Sequence, residues 1–216
     1  MSDAQARTAD PPARIGPGRL VLVVGPSGAG KDTLLNRARA ACAGDRTIVF
    51  PRRIVTREAS SSEDNRQLAP ESFRVALTQG EFAVHWEAHG HCYALPRDLD
   101  EDIRAGRIVV VNVSRTIVEA MRRAYADVVA VEITAPPEVL AARLAIRARG
   151  SDGAIELRLR RHVDAAHAVP DITIVNVGDA EPHARQLLAA IRGDLPYSAQ
   201  GQENQENVDH RDDRTA

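Results

Sequence analysis

Lysine is almost missing from this 216-residue chain: Lys31 is the only one, and arginine supplies every other permanent side-chain cation. A general bias towards arginine accounts for most positions. It makes the one retained lysine informative, because a compact ammonium and a planar guanidinium serve different chemistry. Aromatic residues are also scarce, at 3% within a hydrophobic fraction of 44%, so the core must be built from Val, Ile, Leu and Ala. Two cysteines, Cys42 and Cys92, exclude a disulfide framework, and their spacing fits no metal site. No apolar run approaches the roughly 18 residues of a membrane span. The opening MSDAQARTADPPARIGPG lacks the apolar core of a signal peptide, so a cytoplasmic protein is expected. A formal net charge of −2 gives no electrostatic reason to expect nucleic acid or a membrane as partner.

The length suits one domain with a small insertion. Residues 1–18, rich in Pro, Ala and Gly, and 193–216, polar throughout, are expected to be disordered ends. Between them, over 19–192, short β-branched runs alternate with helical patterns. Strands are expected at Leu20–Val24, Thr47–Val55 (broken around Pro51), Ile108–Val113, Val128–Thr134 and Ile172–Val177. Helices are expected at Lys31–Ala43, Pro70–Gly80, Pro96–Ala105, Ser114–Ala126, Pro136–Arg149, Asp152–Ala168 and Asp179–Arg192. Glu81–Leu95, with its alternation and the break at Gly90, reads as a hairpin. Uninterrupted Val/Ile strands between helices imply a parallel sheet covered on both faces, a three-layer α/β fold. The polar interval 57–95 interrupts the alternation and reads as an inserted substrate-binding subdomain.

GPSGAGKDT at 25–33 follows a buried strand and opens a helix, the context a phosphate-binding loop needs. Gly25, Gly28 and Gly30 let backbone N–H groups of Gly25, Pro26, Ser27, Gly28, Ala29 and Gly30 (Pro26 having none) turn around a phosphate, and the helix adds its positive dipole end. Lys31 reaches the β- and γ-phosphates of ATP, where charge shifts during transfer. The residue after the lysine is ordinarily Ser or Thr, whose hydroxyl ligates Mg²⁺; here it is Asp32, with Thr33 next and expected to contact a phosphate further along the nucleotide. A carboxylate beside a triphosphate implies a cation between them, so Asp32 is expected to face Mg²⁺, directly or through water. The alternative is that Asp32 caps the helix.

Arginines cluster in three places. Arg53 and Arg57 flank a strand end in RRIVTR. Arg143, Arg147 and Arg149 lie in ARLAIRARG, and Arg158 and Arg161 follow beyond a Gly-Ser-Asp-Gly link. Two arginine-lined helices joined there, spanning 143–161, form a plausible lid over a transferring phosphoryl group, with Arg147 and Arg149 as its catalytic charges. No general base is evident. An acceptor that is already an anion, such as a phosphate oxygen, needs only positioning and charge neutralisation.

GPSGAGKDTLL, VTR at 55–57, WEAHGHCY at 86–93 and RLAIRAR at 143–149 resemble the guanylate-kinase-like P-loop kinases over about residues 19–192. Within that group the chain is most similar to the ribose 1,5-bisphosphate phosphokinase family, on Asp32 after the lysine and on VVVNVSR at Val109–Arg115. Guanylate kinases carry Asp at the Asn112 position and a Glu where Val84–His85 stand here. The resemblance implies transfer of the γ-phosphoryl of ATP to the 1-phosphate of ribose 1,5-bisphosphate, making 5-phospho-α-D-ribose 1-diphosphate in phosphonate catabolism. It further implies that Arg53, Arg57 and Tyr93 bind the acceptor, that Arg158 and Arg161 reach it from the lid, and that Asn176 lies near adenine. The family's Tyr-Gly pair reads Tyr93–Ala94 here, and its Gly-Gly-Glu stretch reads Ser61-Ser62-Glu63. The sequence leaves a homodimer open. The rival readings are guanylate kinase or another nucleoside monophosphate kinase, told apart by activity on GMP, and a non-catalytic binding module, against which the intact Gly25, Gly30 and Lys31 stand.

Overall fold

A computed structural model describes residues 13–57, 64–88, 90–148 and 169–195; of Arg147 and Ala148 only the backbone is described. Five strands form the central sheet: β1 (Ile15–Val24), β2 (Ile48–Val49), β7 (Ile108–Asn112), β8 (Tyr125–Thr134) and β9 (Ile172–Val175). They lie in the order β2-β7-β1-β8-β9, every pairing parallel. The β-branched runs of β1, β7 and β8 therefore bury both faces, as a parallel sheet requires.

Period-two alternation divides β1 between two cores. Val21 and Val23 face α1 (Lys31–Ala41), α5 (Pro137–Ala148) and α6 (Ala180–Arg192), packing with Leu34, Ala38, Leu140, Leu187 and Ile191. Leu20, Leu22 and Val24 face α3 (Asp98–Arg104) and α4 (Val118–Ala124), packing with Leu99, Ile103, Val118 and Met121. Burying each such Leu or Val contributes about 1.5–3 kcal/mol, so the two layers hold the central strand rigidly between them.

Around the interval read as an insertion lies a second, four-stranded sheet in the order β4-β3-β6-β5. It comprises β3 (Arg53–Val55), β4 (Asn65–Gln67), β5 (Phe82–Ala88) and β6 (His91–Pro96), with α2 (Pro70–Thr78) packed on it. β5 and β6 are the antiparallel hairpin. A small core of Ile54, Phe73 and Ala94 holds α2 down, with the Phe73 and Phe82 rings 4.8 Å apart. Trp86, Tyr93 and Leu95 belong instead to the main core, which fixes the insertion to the central sheet.

Most elements lie within two residues of the sequence reading, and the larger differences have physical causes. β1 starts at Ile15, not Leu20, because Ile15 pairs with Tyr125 at the amino ends of β1 and β8. β8 correspondingly starts at Tyr125, and the helix expected over Ser114–Ala126 is a single 3₁₀ turn at 115–117 followed by a short α4. The Ser114 cap is present, its side chain accepting from the Thr116 N–H. The second sheet begins with β3 at Arg53, and it contains β4, three polar residues paired parallel to β3. The helix expected at Asp152–Ala168 lies outside the described residues.

Candidate active site

The chain leaves β1 towards one side of the sheet, to β2 and β7, and then crosses to β8 and β9 on the other. The carboxyl end of β1 is thus beside the point where the winding reverses, the place where open α/β sheets hold ligands. The loop from Gly25 to Gly30 lies there, and α1 begins at Lys31. Gly25 has φ 135°, and a Cβ on it would collide with the Ile133 carbonyl of β8, so only glycine lets the loop leave the strand so close to its neighbour. Lys31 Nζ donates to the carbonyls of Gly25 and Pro26, each at 2.8 Å, and folds back over the loop. Pro26, Gly28 and Ala29 are buried, whereas Ser27 and Thr33 are exposed at the rim.

Asp32 stands in the first turn of α1, half-buried, beside the carboxyl end of β7. Asn112, the last residue of β7, donates from Nδ2 to Asp32 Oδ1 at 3.1 Å. The cap of α1 is Gly30, with no side-chain hydrogen bond, so Asp32 is not the helix cap. Among the described residues no group of three His, Cys, Asp or Glu is placed to hold a metal by itself. Mg²⁺ fits such a site nonetheless, because it keeps several waters and is bound by one or two carboxylates together with substrate phosphates. Asp32 is a carboxylate beside the loop, held at one oxygen by Asn112.

Asn112 also reaches the opposite wall. Its carbonyl accepts from Arg53 NH1 at 3.4 Å, and Arg53 Nε donates to Asn65 Oδ1 at 3.3 Å. The Arg53 guanidinium lies 5.2 Å from the centre of the Tyr93 ring, which in turn stacks on Trp86 at 5.6 Å. Tyr93 is 7% exposed, so its described part in the cleft is as a platform under Arg53. Asp32, Arg39, Arg53, Asp64, Asn65 and Asn112 line one continuous cleft between α1 and the insertion. Asp64 ties the two together, pairing with Arg39 of α1 and with Arg52 at 2.7 Å. Arg57 lies two residues beyond β3, half-buried. At the far side of the loop, Arg115 pairs with Glu132 at 3.5 Å and offsets a carboxylate beside the end of β1.

Arg143, on α5, points NH1 at the carbonyls of Gly28 and Ala29, at 3.4 and 3.5 Å. Asn176 follows β9, held by its own N–H on the Thr134 carbonyl at 2.8 Å, and donates from Nδ2 to the Ala29 carbonyl at 2.7 Å. It is 3% exposed, and its Oδ1 has no hydrogen-bond partner among the described residues. An unmet buried acceptor costs on the order of 1–3 kcal/mol.

The structure therefore brings Lys31 and Asn176 onto the loop that holds Gly25, Gly28 and Gly30, and places Asp32 and Arg53 in the cleft between α1 and the insertion. Arg147 is on α5, and its side chain is outside the description, as are Arg149, Arg158 and Arg161 entirely. Sequence reasoning missed Asn65, Asp64 and Arg39. Asn65 sits in a strand with no apolar residue and so carried no periodic signal. Asp64 and Arg39 meet only because α1 and the insertion pack side by side.

No protein-family model matches the chain. It is 60% identical over 194 residues to the ribose 1,5-bisphosphate phosphokinase PhnN of Bradyrhizobium diazoefficiens, covering 90% of this chain and 98% of that one. Against the protein of the same name from Rhodopseudomonas palustris it is 64% identical over 182 residues, 84% of this chain and 92% of the relative. Among solved structures, a guanylate kinase from Anaplasma phagocytophilum superposes with a TM-score of 0.59 at 24% identity, over 82% of this chain and 86% of that one, a likeness of fold. With the phosphate loop, the Asp32–Asn112 pair and relatives matched nearly end to end, the chain belongs to the ribose 1,5-bisphosphate phosphokinase family.

Proposed function

We propose that this protein transfers the γ-phosphoryl group of ATP to the 1-phosphate of ribose 1,5-bisphosphate, giving 5-phospho-α-D-ribose 1-diphosphate and ADP, as the names of its relatives suggest. One observation carries the reading. Asn112 joins the phosphate loop, through Asp32, to an arginine held over an aromatic ring on the insertion. A donor site and an anion-binding acceptor site thus share one cleft.

An oxygen of the 1-phosphate forms a new bond to the γ-phosphorus while the bond from that phosphorus to the β-bridging oxygen breaks, and ADP leaves with the electron pair. The attacking oxygen carries no proton that must be removed, so no general base is needed. Lys31, released from the Gly25 and Pro26 carbonyls, neutralises charge on the β- and γ-phosphates. Arg53, with Arg57, holds acceptor phosphate, its fork pre-oriented by Asn65 and Asn112. Arg147 and Arg149, with Arg158 and Arg161, are assigned to the lid side of the phosphoryl group. Mg²⁺, when bound, supplies charge neutralisation between the phosphates, and Asp32 is the residue that would hold it.

The test is ADP release from ATP with ribose 1,5-bisphosphate, GMP, AMP or no acceptor. Turnover with ribose 1,5-bisphosphate well above the other three supports the assignment; faster turnover with GMP would replace it with a nucleoside monophosphate kinase. Absence of turnover with every acceptor, together with no ATP binding, would leave a binding module.

A further inference from the structure

We propose that Asn176 is a positioning residue for the phosphates of the donor nucleotide, acting through the Ala29–Gly30 peptide rather than by reading the base. The inference rests on the reading of the loop as an ATP site. Asn176 is fixed before any ligand arrives: its backbone N–H bonds the Thr134 carbonyl at 2.8 Å, and its side chain is 3% exposed. A group so enclosed is poorly placed to meet a base entering from solvent. Its Nδ2 instead donates at 2.7 Å to the Ala29 carbonyl, 147 residues away in sequence.

That bond has a consequence for the loop. In a trans peptide the carbonyl oxygen and the next N–H point in opposite directions. Drawing the Ala29 oxygen to Asn176 therefore turns the Gly30 N–H away from β9, to the concave side of the loop where a phosphate oxygen would accept it. Residue 30 is fitted to the arrangement: its φ is 89°, and a Cβ there would collide with Asn176 Nδ2. The same amide orientation leaves Oδ1 buried without a partner among the described residues. A side chain serving packing alone gains nothing from that unmet acceptor, whereas the loop geometry requires the Nδ2 donor on this side. Arg143 NH1, at 3.5 Å from the same carbonyl, is too distant to hold the peptide alone.

Affinity for ATP, GTP and inorganic tripolyphosphate is to be measured by calorimetry for the wild-type chain and Asn176→Ala, with folding checked by thermal unfolding. The expected result is an equal loss for all three ligands, about 5- to 10-fold for one lost hydrogen bond to a rigid carbonyl, with the ATP-to-GTP ratio unchanged. Weakening of ATP alone would overturn the proposal in favour of base reading, and unchanged affinity for all three would overturn it outright. A wild-type chain binding neither ATP nor tripolyphosphate would overturn this proposal and the ATP-donor reading together, which separates the two failures. Should Asn176→Ala not fold, Asn176→Ser, whose hydroxyl falls short of the Ala29 oxygen, gives the same comparison.

Discussion

Replacing Tyr125 by Phe removes one oxygen from the main core, and the structure says what that costs and how the cost depends on pH. Tyr125 opens β8 and is 3% exposed; its hydroxyl donates at 2.6 Å to Asp100 Oδ1 on α3, itself 8% exposed. The bond pins α3 against the sheet. A hydrogen bond to a charged acceptor contributes about 1.5–3 kcal/mol, and without it the Asp100 carboxylate loses its donor. For a folded unit of this size each kcal/mol moves Tm by about 2–4 °C, so Tyr125→Phe should melt about 3–12 °C lower at pH 7. Burial first, and then the bond to the Asp100 carboxylate and its charge, push the phenol's titration well above its ordinary value, with Arg104 opposing. A folded-state pKa raised above the unfolded one gives stability that is whole below about pH 10 and falls as pH rises beyond, by up to about 1.4 kcal/mol per unit. Phenylalanine has no such loss, so the gap between the two proteins should narrow above pH 10. The assay is urea unfolding of both proteins between pH 7 and 11. A gap that is absent at pH 7, or that stays constant to pH 11, would refute the reasoning.

Three further perturbations address the site and its supports. Asp32→Ala should raise the Mg²⁺ concentration for half-maximal ATP binding by about tenfold or more, and Asn112→Ala should move it in the same direction, as loss of a ligand's hydrogen-bond partner does; an unchanged Mg²⁺ titration for Asp32→Ala sinks the metal assignment. Arg53→Lys keeps the charge but loses the fork that Asn65 and Asn112 orient, so the acceptor KM should rise about tenfold while the ATP KM stays within twofold; steady-state kinetics on both substrates decide it, and equal effects on the two would refute the acceptor role. Asp171 accepts from the Ala130 N–H at 2.7 Å and from Arg122 at 3.0 Å, joining β9 to β8. It is 33% exposed, so Asp171→Ala should lower stability by about 1–2 kcal/mol, the lower part of the range for charged partners; a thermal midpoint within 1 °C of wild type, roughly a quarter to half a kcal/mol, would contradict that.

Much of the fold was legible because its signals are local. LVLVV and IVVVN are continuous buried runs that a parallel sheet alone uses well, and both are central strands. The phosphate loop was legible for the same reason: strand, glycines and lysine are contiguous. What the sequence hid depends on distant partners. Tyr125 has helical neighbours on its N-terminal side, yet pairing with Ile15 and the bond to Asp100 draw it into β8. β4 carries no alternation at all, and only its ladder with β3 makes it a strand.

The site divides along the same line, and Asp32 shows where. Its presence after Lys31 was plain in the sequence, but a carboxylate there had two readings, a helix cap or a metal-facing group. The helix takes Gly30 as its cap, which removes the first, and Asn112, 80 residues away, holds Asp32 Oδ1 with its amide. A neutral donor stands there, so Asp32 meets no second carboxylate's repulsion from that position. The same residue's carbonyl receives Arg53 from the acceptor side. The end of β7 therefore does for this chain what no contiguous motif can. It sets the distance between Asp32 and Arg53, the groups proposed above for the donor's cation and the acceptor's anion, and transfer between two phosphates depends on such a distance. Displacing Asn112 should accordingly disturb both halves at once, whereas Asp32 and Arg53 substitutions should each disturb one.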